Sequence, residues 1–256
     1  MKKICFAISV HENKEVIKDL LNNIRTFCPN SSIVLFRSGN DRSLCEGLGY
    51  PVCPTSKSLS WGKNIILFHL NIMEWLEEID YDYDYLTIID SDALFVKKGF
   101  EEFIISEMEN FDYMAPFRRF PEIDWYPGGI MIKEWTKWQK IFNINYFLAC
   151  FNPGQTFSKK FVQQIINFPN FYLIKKIINE SKTWVFEEIF FPTIAETLGI
   201  KAKPYPSNVQ KWIRFRPYFT EEEIKKAIET DEACFFIHPI YRDMNDKARV
   251  YVRNLL

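Results

Sequence analysis

The sequence lacks the signatures of several well-known enzyme and membrane classes. It contains neither G-x-G-x-x-G nor G-x-x-x-x-G-K-[ST], which disfavours a dinucleotide fold and a P-loop, and it has no G-x-S-x-G. No stretch approaches the roughly 18 apolar residues that a bilayer span needs. There are 32 basic and 33 acidic residues, so no basic excess indicates nucleic-acid binding, although weak contact with a membrane surface stays open.

Cysteine spacing is equally uninformative about metals and redox chemistry. None of the six cysteines forms a C-x-x-C pair, which argues against a zinc knuckle or a thioredoxin motif. Cys5 and Cys234 lie in apolar contexts, so we expect buried free thiols and a reducing, cytoplasmic location. Met1-Lys2-Lys3 opens like a signal peptide, but the apolar stretch stops at His11 without a small-residue cleavage site. We interpret that stretch as a strand.

What the chain does contain is an alternation of strand and helix patterns. Residues 4–10 form an almost continuous apolar run, typical of a strand covered on both faces. Asn13 then precedes apolar residues at helical spacing up to Phe27, and residues 33–36 read as the next strand. A strand–helix–strand unit implies parallel neighbours. The pattern predicts an α/β fold, a Rossmann-type α/β/α sandwich with a mostly parallel central sheet.

The remaining elements are predicted in the same way. We expect strands at 85–89, 94–96, 113–117, 128–132 and 235–237. Helices are expected at 63–79, 103–108, 158–166, 187–198 and from 220 onward, where Thr220 opens a capping box. The strand at 128–132 is placed after a tight turn at Gly128-Gly129. Pro192 should lie in the first turn of its helix, where proline is tolerated.

Acidic residues follow two of these strands. Asp41 follows the second strand, and Asp90 and Asp92 follow the third; His11 follows the first. Ligands of open α/β sheets bind beyond the carboxyl ends of the strands. The sequence therefore gathers candidate ligand-binding residues at one edge of the sheet.

Asp90-Ser91-Asp92 carries the clearest chemistry. Two carboxylates one residue apart, directly after a hydrophobic strand, can reach one hard cation, or one hydrated cation and a ribose. Mg²⁺ or Mn²⁺ at that place would neutralise charge on a departing diphosphate. A solvated acidic turn is the alternative interpretation, because aspartate is common in turns.

Residues 84–96 resemble the D-x-D region of GT-A glycosyltransferases, in which a hydrophobic strand leads into D-x-D and a short hydrophobic stretch. The resemblance implies a metal-dependent enzyme that uses a nucleotide-sugar, with UDP as the expected carrier. By the same likeness Asp92 would ligate the metal directly, while Asp90 would contact ribose or a metal-bound water. It implies one catalytic domain, 1–256, with a nucleotide-sugar-binding half at 1–120 and an acceptor-binding half at 121–256.

The resemblance also suggests a third ligand and a base. Members of the family often supply a histidine ligand from a late strand, and His238 follows residues 235–237. Inverting members use an acid of the second half to deprotonate the acceptor, for which Glu188 and Glu187 are the candidates, with Glu188 preferred. A structural histidine and a helix start stabilised by its macrodipole are the plain alternatives. The retaining glycogenin-like branch has H-x-x-G-x-x-K-P-W where this chain reads His238-Pro239-Ile240-Tyr241-Arg242-Asp243, which favours inversion.

Contacts to the donor are assigned by likeness to a scattered set of residues. Further basic residues after His238, including Arg249, form a segment that could fold over a diphosphate. The candidate donor-binding residues are Ser9, Val10, His11, Asp41, Trp61, Lys63, Asp90, Ser91, Asp92, Gly129, Arg242 and Lys247.

We therefore expect transfer of a hexosyl or hexosaminyl group from a nucleoside diphosphate sugar to a glycan or other hydroxyl acceptor, with inversion. One rival is a sugar nucleotidyltransferase, which should carry a glycine- and arginine-rich loop where this chain has Val10-His11-Glu12-Asn13. The other is a non-catalytic nucleotide- or glycan-binding module.

Overall fold

A computed structural model describes residues 2–11, 13–60, 62, 64–118, 120, 124–169 and 171–256. The strands are β1 Ile4–Val10, β2 Ser32–Arg37, β3 Tyr85–Asp90, β4 Leu94–Phe95, β5 Tyr113–Ala115, β6 Thr156–Ser158, β7 Ala202–Pro204 and β8 Phe236–Ile237. The helices are α1 Lys14–Phe27, α2 Ile65–Glu78, α3 Phe100–Glu107, α4 Tyr126–Phe142, α5 Lys159–Ile166, α6 Phe171–Glu180, α7 Glu187–Thr197, α8 Ser207–Gln210, α9 Glu221–Thr230 and α10 Lys247–Arg253.

A central sheet in the order β2-β1-β3-β6-β5-β7 organises the fold. Strand β1 pairs in parallel with β2 and β3, whereas β6 is antiparallel to both of its neighbours, and β5 and β7 are parallel. A second sheet contains β4 and β8, which are antiparallel. The predicted mostly parallel α/β sheet is confirmed.

Apolar layers cover both faces of this sheet. In β1, Ile4, Phe6 and Ile8 join a core with α1, α3, α9 and α10, whereas Cys5 and Ala7 join a second core with α2, α4, α5, α6 and α7. Alternation of side chains along a strand sends successive residues into the two layers. This explains why the sequence of β1 is an uninterrupted apolar run, as predicted for a strand buried on both sides.

Several predicted helix starts are confirmed by their caps. The Asn13 side chain accepts from Val16 N at the start of α1, and Ser158 Oγ accepts from Phe161 N at the start of α5. Thr220 and Glu223 form the predicted capping box of α9. These caps satisfy backbone N–H groups that the first turn of a helix leaves without partners.

The prediction of a strand at 128–132 was wrong, because these residues lie in α4. Pro127 stands at the start of that helix, and its buried face carries Trp138 and Phe142. The Trp138 ring lies 4.5 Å from that of Phe186, and the Phe142 ring 5.7 Å from that of Phe190. Packing of these large rings outweighs the low helix propensity of the glycine pair.

The predicted position of Pro192 was also wrong. Helix α7 begins at Glu187, so Pro192 lies inside the helix and not in its first turn. Proline has no N–H to donate to the carbonyl four residues earlier, that of Glu188. Cys150 N donates to this carbonyl at 2.8 Å and replaces the missing helical bond. The exchange ties α7 to the segment that leads into Asn152.

Candidate functional site

The pairing of two short strands brings Asp92 and His238 together from distant parts of the chain. Strand β4 begins two residues after Asp92, β8 ends one residue before His238, and Leu94 lies opposite Ile237 in the antiparallel register. Ile240 N also donates to the Asp92 carbonyl at 2.8 Å. A histidine 146 positions away in sequence therefore sits beside the D-x-D segment because two short strands pair.

Asp90, Asp92 and His238 form a cluster of possible metal ligands. One ligand atom from each lies within 4.8 Å of the others. His238 Nε2 is 3.1 Å from Asp92 Oδ1 and 3.9 Å from Asp90 Oδ2. The opposite ring nitrogen, Nδ1, lies 3.0 Å from the Arg214 carbonyl oxygen. That contact orients the imidazole with Nε2 toward the carboxylates, as outer partners of ligating histidines commonly do.

The chemistry of this cluster fits a divalent cation. Asp92 Oδ1 is buried and makes no hydrogen bond within the described part of the chain, although His238 Nε2 and Arg242 Nη2 approach it at 3.1 and 2.9 Å. A buried carboxylate oxygen without a hydrogen bond is costly unless positive charge compensates it. Two carboxylates and one imidazole are a donor set suited to Mn²⁺, and the carboxylates also to Mg²⁺.

The pKa values of Asp90 and Asp92 are shifted in opposite directions. Burial, and after it the charge of Asp92, raise the pKa of Asp90. Burial also tends to raise the pKa of Asp92, but His238 and Arg242 outweigh it and lower that pKa to about 2. Asp92 is thus the carboxylate that stays ionised across the physiological range.

Arg242 borders the same cluster. Its Nη2 lies 2.9 Å from Asp92 Oδ1, and its Nε donates to Ser91 Oγ at 2.9 Å. The predicted cationic side chain after His238 is therefore in direct contact with the D-x-D segment. A guanidinium at this place can pair with an anionic group that approaches the cluster.

The cluster faces a cavity of about 1010 Å³. Such a volume lies at the upper end of the range of small-molecule sites. The predicted site residues that line it are Ser9, His11, Asp90, Ser91, Asp92, Glu187, Glu188, His238 and Arg242. Ser9 Oγ donates to Ser38 Oγ at 2.8 Å, which joins the carboxyl ends of β1 and β2 at this edge.

Other predicted residues have different positions. Val10 is buried in the core, and its carbonyl accepts from the N–H groups of residues 38 and 39. Asp41 is exposed, and its Oδ1 accepts from the backbone and hydroxyl of Ser43 at 2.8 Å. Gly129 lies in the first turn of α4, and Lys247 starts α10 and lines a separate, smaller pocket. Trp61 and Lys63 lie outside the described residues.

Glu187 and Glu188 lie together at the start of α7, and both are buried. Burial raises the pKa of Glu187 to about 8 and that of Glu188 well above its ordinary value. The negative charge of Glu187 raises the pKa of Glu188 further. Glu188 Oε1 accepts from Asn152 N at 3.2 Å. Both carboxyl groups therefore have raised pKa values, and shifted pKa values are common at functional sites.

Asn152 connects the two acidic groups, a role that the sequence did not reveal. Its Nδ2 donates to Asp90 Oδ1 at 3.1 Å, while its backbone N–H donates to Glu188. Its Oδ1 lies 2.9 Å from His69 Nε2 and accepts from Gln155 Nε2 at 3.1 Å. Its partners Asp90, Glu188 and His69 come from distant strands and helices.

No protein-family model and no curated protein sequence matches this chain. Solved structures do. A crystal structure of the galactosyltransferase LgtC in complex with donor and acceptor sugar analogues aligns with 99% of this chain and 94% of its own, at 12% identity and a TM-score of 0.50. An active-site mutant of LgtC aligns over the same shares, at 11% identity and a TM-score of 0.52.

Apo WbbM, a bifunctional glycosyltransferase, aligns with 93% of this chain and 45% of its own length, at 15% identity and a TM-score of 0.49. Sequence identity at this level is informative about architecture alone, and the two LgtC alignments span nearly the whole chain. Together with the central sheet order and the Asp-x-Asp segment at its carboxyl edge, they show that the chain has the fold of the GT-A glycosyltransferases.

Proposed function

We propose that this chain transfers a sugar from a nucleoside diphosphate donor, with UDP as the first carrier to test, to a hydroxyl acceptor. The observation that carries the proposal is the convergence of Asp90, Asp92 and His238 on a large cavity at the carboxyl edge of a GT-A sheet. The proposed transferred group is a hexosyl or hexosaminyl group, and the proposed acceptors are glycans or other hydroxyl compounds. A single domain, 1–256, binds the donor mainly through 1–120 and the acceptor mainly through 121–256.

Asp90, Asp92 and His238 would hold Mn²⁺ or Mg²⁺. When bound, the cation supplies electrostatic stabilisation of a leaving diphosphate. His238 is oriented by the Arg214 carbonyl, and Asp90 is oriented by Asn152. Arg242 adds a guanidinium group beside Asp92 that can pair with phosphate oxygens.

The residues proposed to deprotonate the acceptor are Glu187 and Glu188. A base is most effective when its pKa lies near the working pH, and burial raises the pKa of Glu187 to about 8. Glu188 is held in place by the Asn152 backbone N–H, so it can position an acceptor hydroxyl or accept its proton. One carboxylate acting on the acceptor supports a single displacement with inversion.

The test is release of nucleoside diphosphate from a panel of nucleotide-sugars, with manganese or with a chelator. We expect manganese-dependent release from one donor, and a loss on the order of 100-fold in Asp92→Asn. Asp82→Asn is the matched control, because it removes an exposed aspartate that pairs with Lys3 away from the cavity. Failure to bind nucleotide in the presence of manganese would contradict the proposed function.

Further outcomes separate the rival functions and mechanisms. Pyrophosphate release from a nucleoside triphosphate and a sugar phosphate would identify a nucleotidyltransferase. Metal-dependent binding without turnover, with acceptors supplied, would identify a binding module. NMR of the product gives the stereochemistry, and a retained anomer would contradict both inversion and the role of Glu187 or Glu188 as base.

A further inference from the structure

Residues 213–218 bring an aromatic ring and a guanidinium group to the cavity. Phe215 and Arg216 both line it, and the Phe215 side chain is 61% exposed. An exposed aromatic ring beside a cation is a common arrangement for recognising a ligand that has both an apolar face and a negative charge. Neither residue has a role in the proposed metal site.

Two hydrogen bonds to neighbouring residues orient the guanidinium group of Arg216. Its Nη2 donates to Tyr218 Oη at 2.9 Å, and its Nη1 donates to the Phe215 carbonyl at 2.7 Å. The guanidinium carbon lies 4.2 Å from the centre of the Tyr218 ring, which in turn stacks on Tyr241 at 3.7 Å. Preorganisation of this kind reduces the entropy lost when a ligand binds.

The charges of the neighbouring arginines are already compensated. Arg214 Nη1 lies 2.9 Å from Glu223 Oε1, and Arg242 Nη2 lies 2.9 Å from Asp92 Oδ1. Arg216, by contrast, forms no ion pair with a carboxylate in the described ranges of the chain. No carboxylate of the described residues therefore neutralises the charge of Arg216, whereas Arg214 and Arg242 each share their charge with one.

Arg216 differs in its charge environment from the groups proposed to hold the donor diphosphate. The Arg214 carbonyl contacts His238 Nδ1, the ring nitrogen that faces away from Asp92. The chain then continues through Phe215 to Arg216, and both residues line the cavity. A diphosphate held by the cation and by Arg242 would already be compensated, so Arg216 would meet a different anionic group.

We propose that Phe215 and Arg216 form the acceptor subsite and select an acidic sugar, one that carries a carboxylate or a phosphate. The Phe215 ring packs against the apolar face of the sugar, and the guanidinium fork pairs with its anionic group. This proposal rests on the proposed function, because it names the acceptor of that reaction. It involves binding alone and adds no step to the transfer.

The first experiment titrates the protein with glucuronate and with glucose, followed by ligand-observed NMR. These probes share a ring and differ in one carboxylate. We expect glucuronate to bind about fivefold more tightly, the size expected for a solvent-accessible ion pair, and Arg216→Gln to abolish the difference. Arg25→Gln, which removes an exposed arginine of α1, should leave it unchanged. Equal binding of the two sugars to the wild type would overturn the proposal.

Phe215→Leu separates ring packing from charge. We expect it to weaken glucuronate and glucose alike and to preserve the ratio of their dissociation constants. Glucose 6-phosphate should behave as glucuronate does, since both offer oxygens that match the guanidinium fork. A ratio that falls to one in Phe215→Leu would show that the carboxylate is not recognised by Arg216.

A second titration, with UDP and manganese, tests whether Arg216 serves the donor. We expect the UDP affinity of Arg216→Gln to equal that of the wild type. A fall in UDP affinity with an unchanged sugar preference would overturn the acceptor assignment and move Arg216 to the donor diphosphate. If no nucleotide-sugar is consumed while the preference for glucuronate depends on Arg216, the proposed function fails and the acidic-sugar site stands.

Discussion

Arg249 Nη1 donates to Asp19 Oδ2 across 2.7 Å, and both side chains are buried. The remaining guanidinium nitrogens contact the Tyr241 carbonyl at 2.8 Å and the Ser91 carbonyl at 3.4 Å. This arginine therefore joins α1 and α10 to the backbone of the D-x-D segment. The sequence had placed it in a basic segment over the diphosphate, whereas its charge is met by Asp19.

We predict that Arg249→Met lowers the free energy of unfolding by about 3–5 kcal/mol, because it leaves Asp19 buried without a partner. The double variant Asp19→Leu/Arg249→Met should recover much of this loss, since it removes both charges. Arg25→Met, at an exposed position of α1, is the control and should change stability by less than about 0.5 kcal/mol. Denaturant unfolding followed by circular dichroism measures all three, and equal stability of both single variants would contradict the prediction.

Gly62 provides a second prediction, because it combines a left-handed backbone with a close neighbour. Its φ is +68°, and a Cβ there would lie 2.7 Å from Trp184 Cε3. Gly47 has a similar φ of +70° with nothing within 4 Å of the added atom. Both Gly→Ala variants carry the backbone cost of about 1–2 kcal/mol, so the difference between them isolates the contact with Trp184.

We expect Gly62→Ala to be less stable than Gly47→Ala by about 1–3 kcal/mol, the range of overpacking costs. Because Gly62 and Trp184 both line the cavity, Gly62→Ala should also weaken nucleotide-sugar binding, whereas Gly47→Ala should not. Thermal unfolding and ligand titration give the two readouts. Indistinguishable variants would show that the Trp184 ring moves aside at no cost.

The local elements could be predicted from the sequence because their causes are local. The apolar run of β1, the cap at Asn13 and the capping box at Thr220 each act within a few residues. The carboxyl-edge position of Asp90 and Asp92 followed from parallel-sheet geometry. The same reasoning failed at Gly128-Gly129, since the rings that stabilise α4 contact α7, which lies about fifty residues further along the chain.

The site residues that belong to a recognisable motif could be predicted from the sequence. Those that act through contacts between distant segments could not. Asp90-Ser91-Asp92 and His238 carry recognisable chemistry, and β4–β8 pairing brings them together. Asn152 could not be recognised in this way, because nothing in the sequence around an asparagine indicates that it will contact Asp90 and Glu188. Its contacts are with partners 62 and 36 positions away.

Asn152 is the subject of a third prediction. Asn152→Leu keeps the approximate size of the side chain but removes the amide donor to Asp90 without adding a charge. Asp90 then loses the group that orients it, so we expect weaker manganese binding and a nucleoside diphosphate release rate lowered about 10–100-fold, the effect usual for outer partners of metal ligands. Asn179→Leu, the same substitution at an exposed position of α6, is the control. Unchanged manganese affinity in Asn152→Leu would contradict the prediction.

His69 supports a fourth prediction, on pH and stability. The imidazole is completely buried in α2, and its ring nitrogens contact the Ile65 carbonyl at 3.2 Å and Asn152 Oδ1 at 2.9 Å. Burial outweighs these contacts and lowers its pKa from 6.5 to about 4. Between these values the unfolded chain binds a proton that the folded chain does not, so the free energy of unfolding decreases as the pH falls from 6.5 to 4.

The full shift corresponds to a contribution of about 3 kcal/mol to the free energy of unfolding. This contribution is fully present above pH 6.5 and is lost progressively as the pH falls to 4. His69→Gln removes the titrating group and keeps polar atoms near Asn152, so its stability should depend less on pH than that of the wild type. Asn22→Gln, at an exposed position of α1, should retain the wild-type slope. Urea unfolding at intervals from pH 7 to pH 4 measures the slopes. The carboxyl groups contribute equally to each variant, so a difference in slope reports on His69. Parallel curves for wild type and His69→Gln would contradict the prediction.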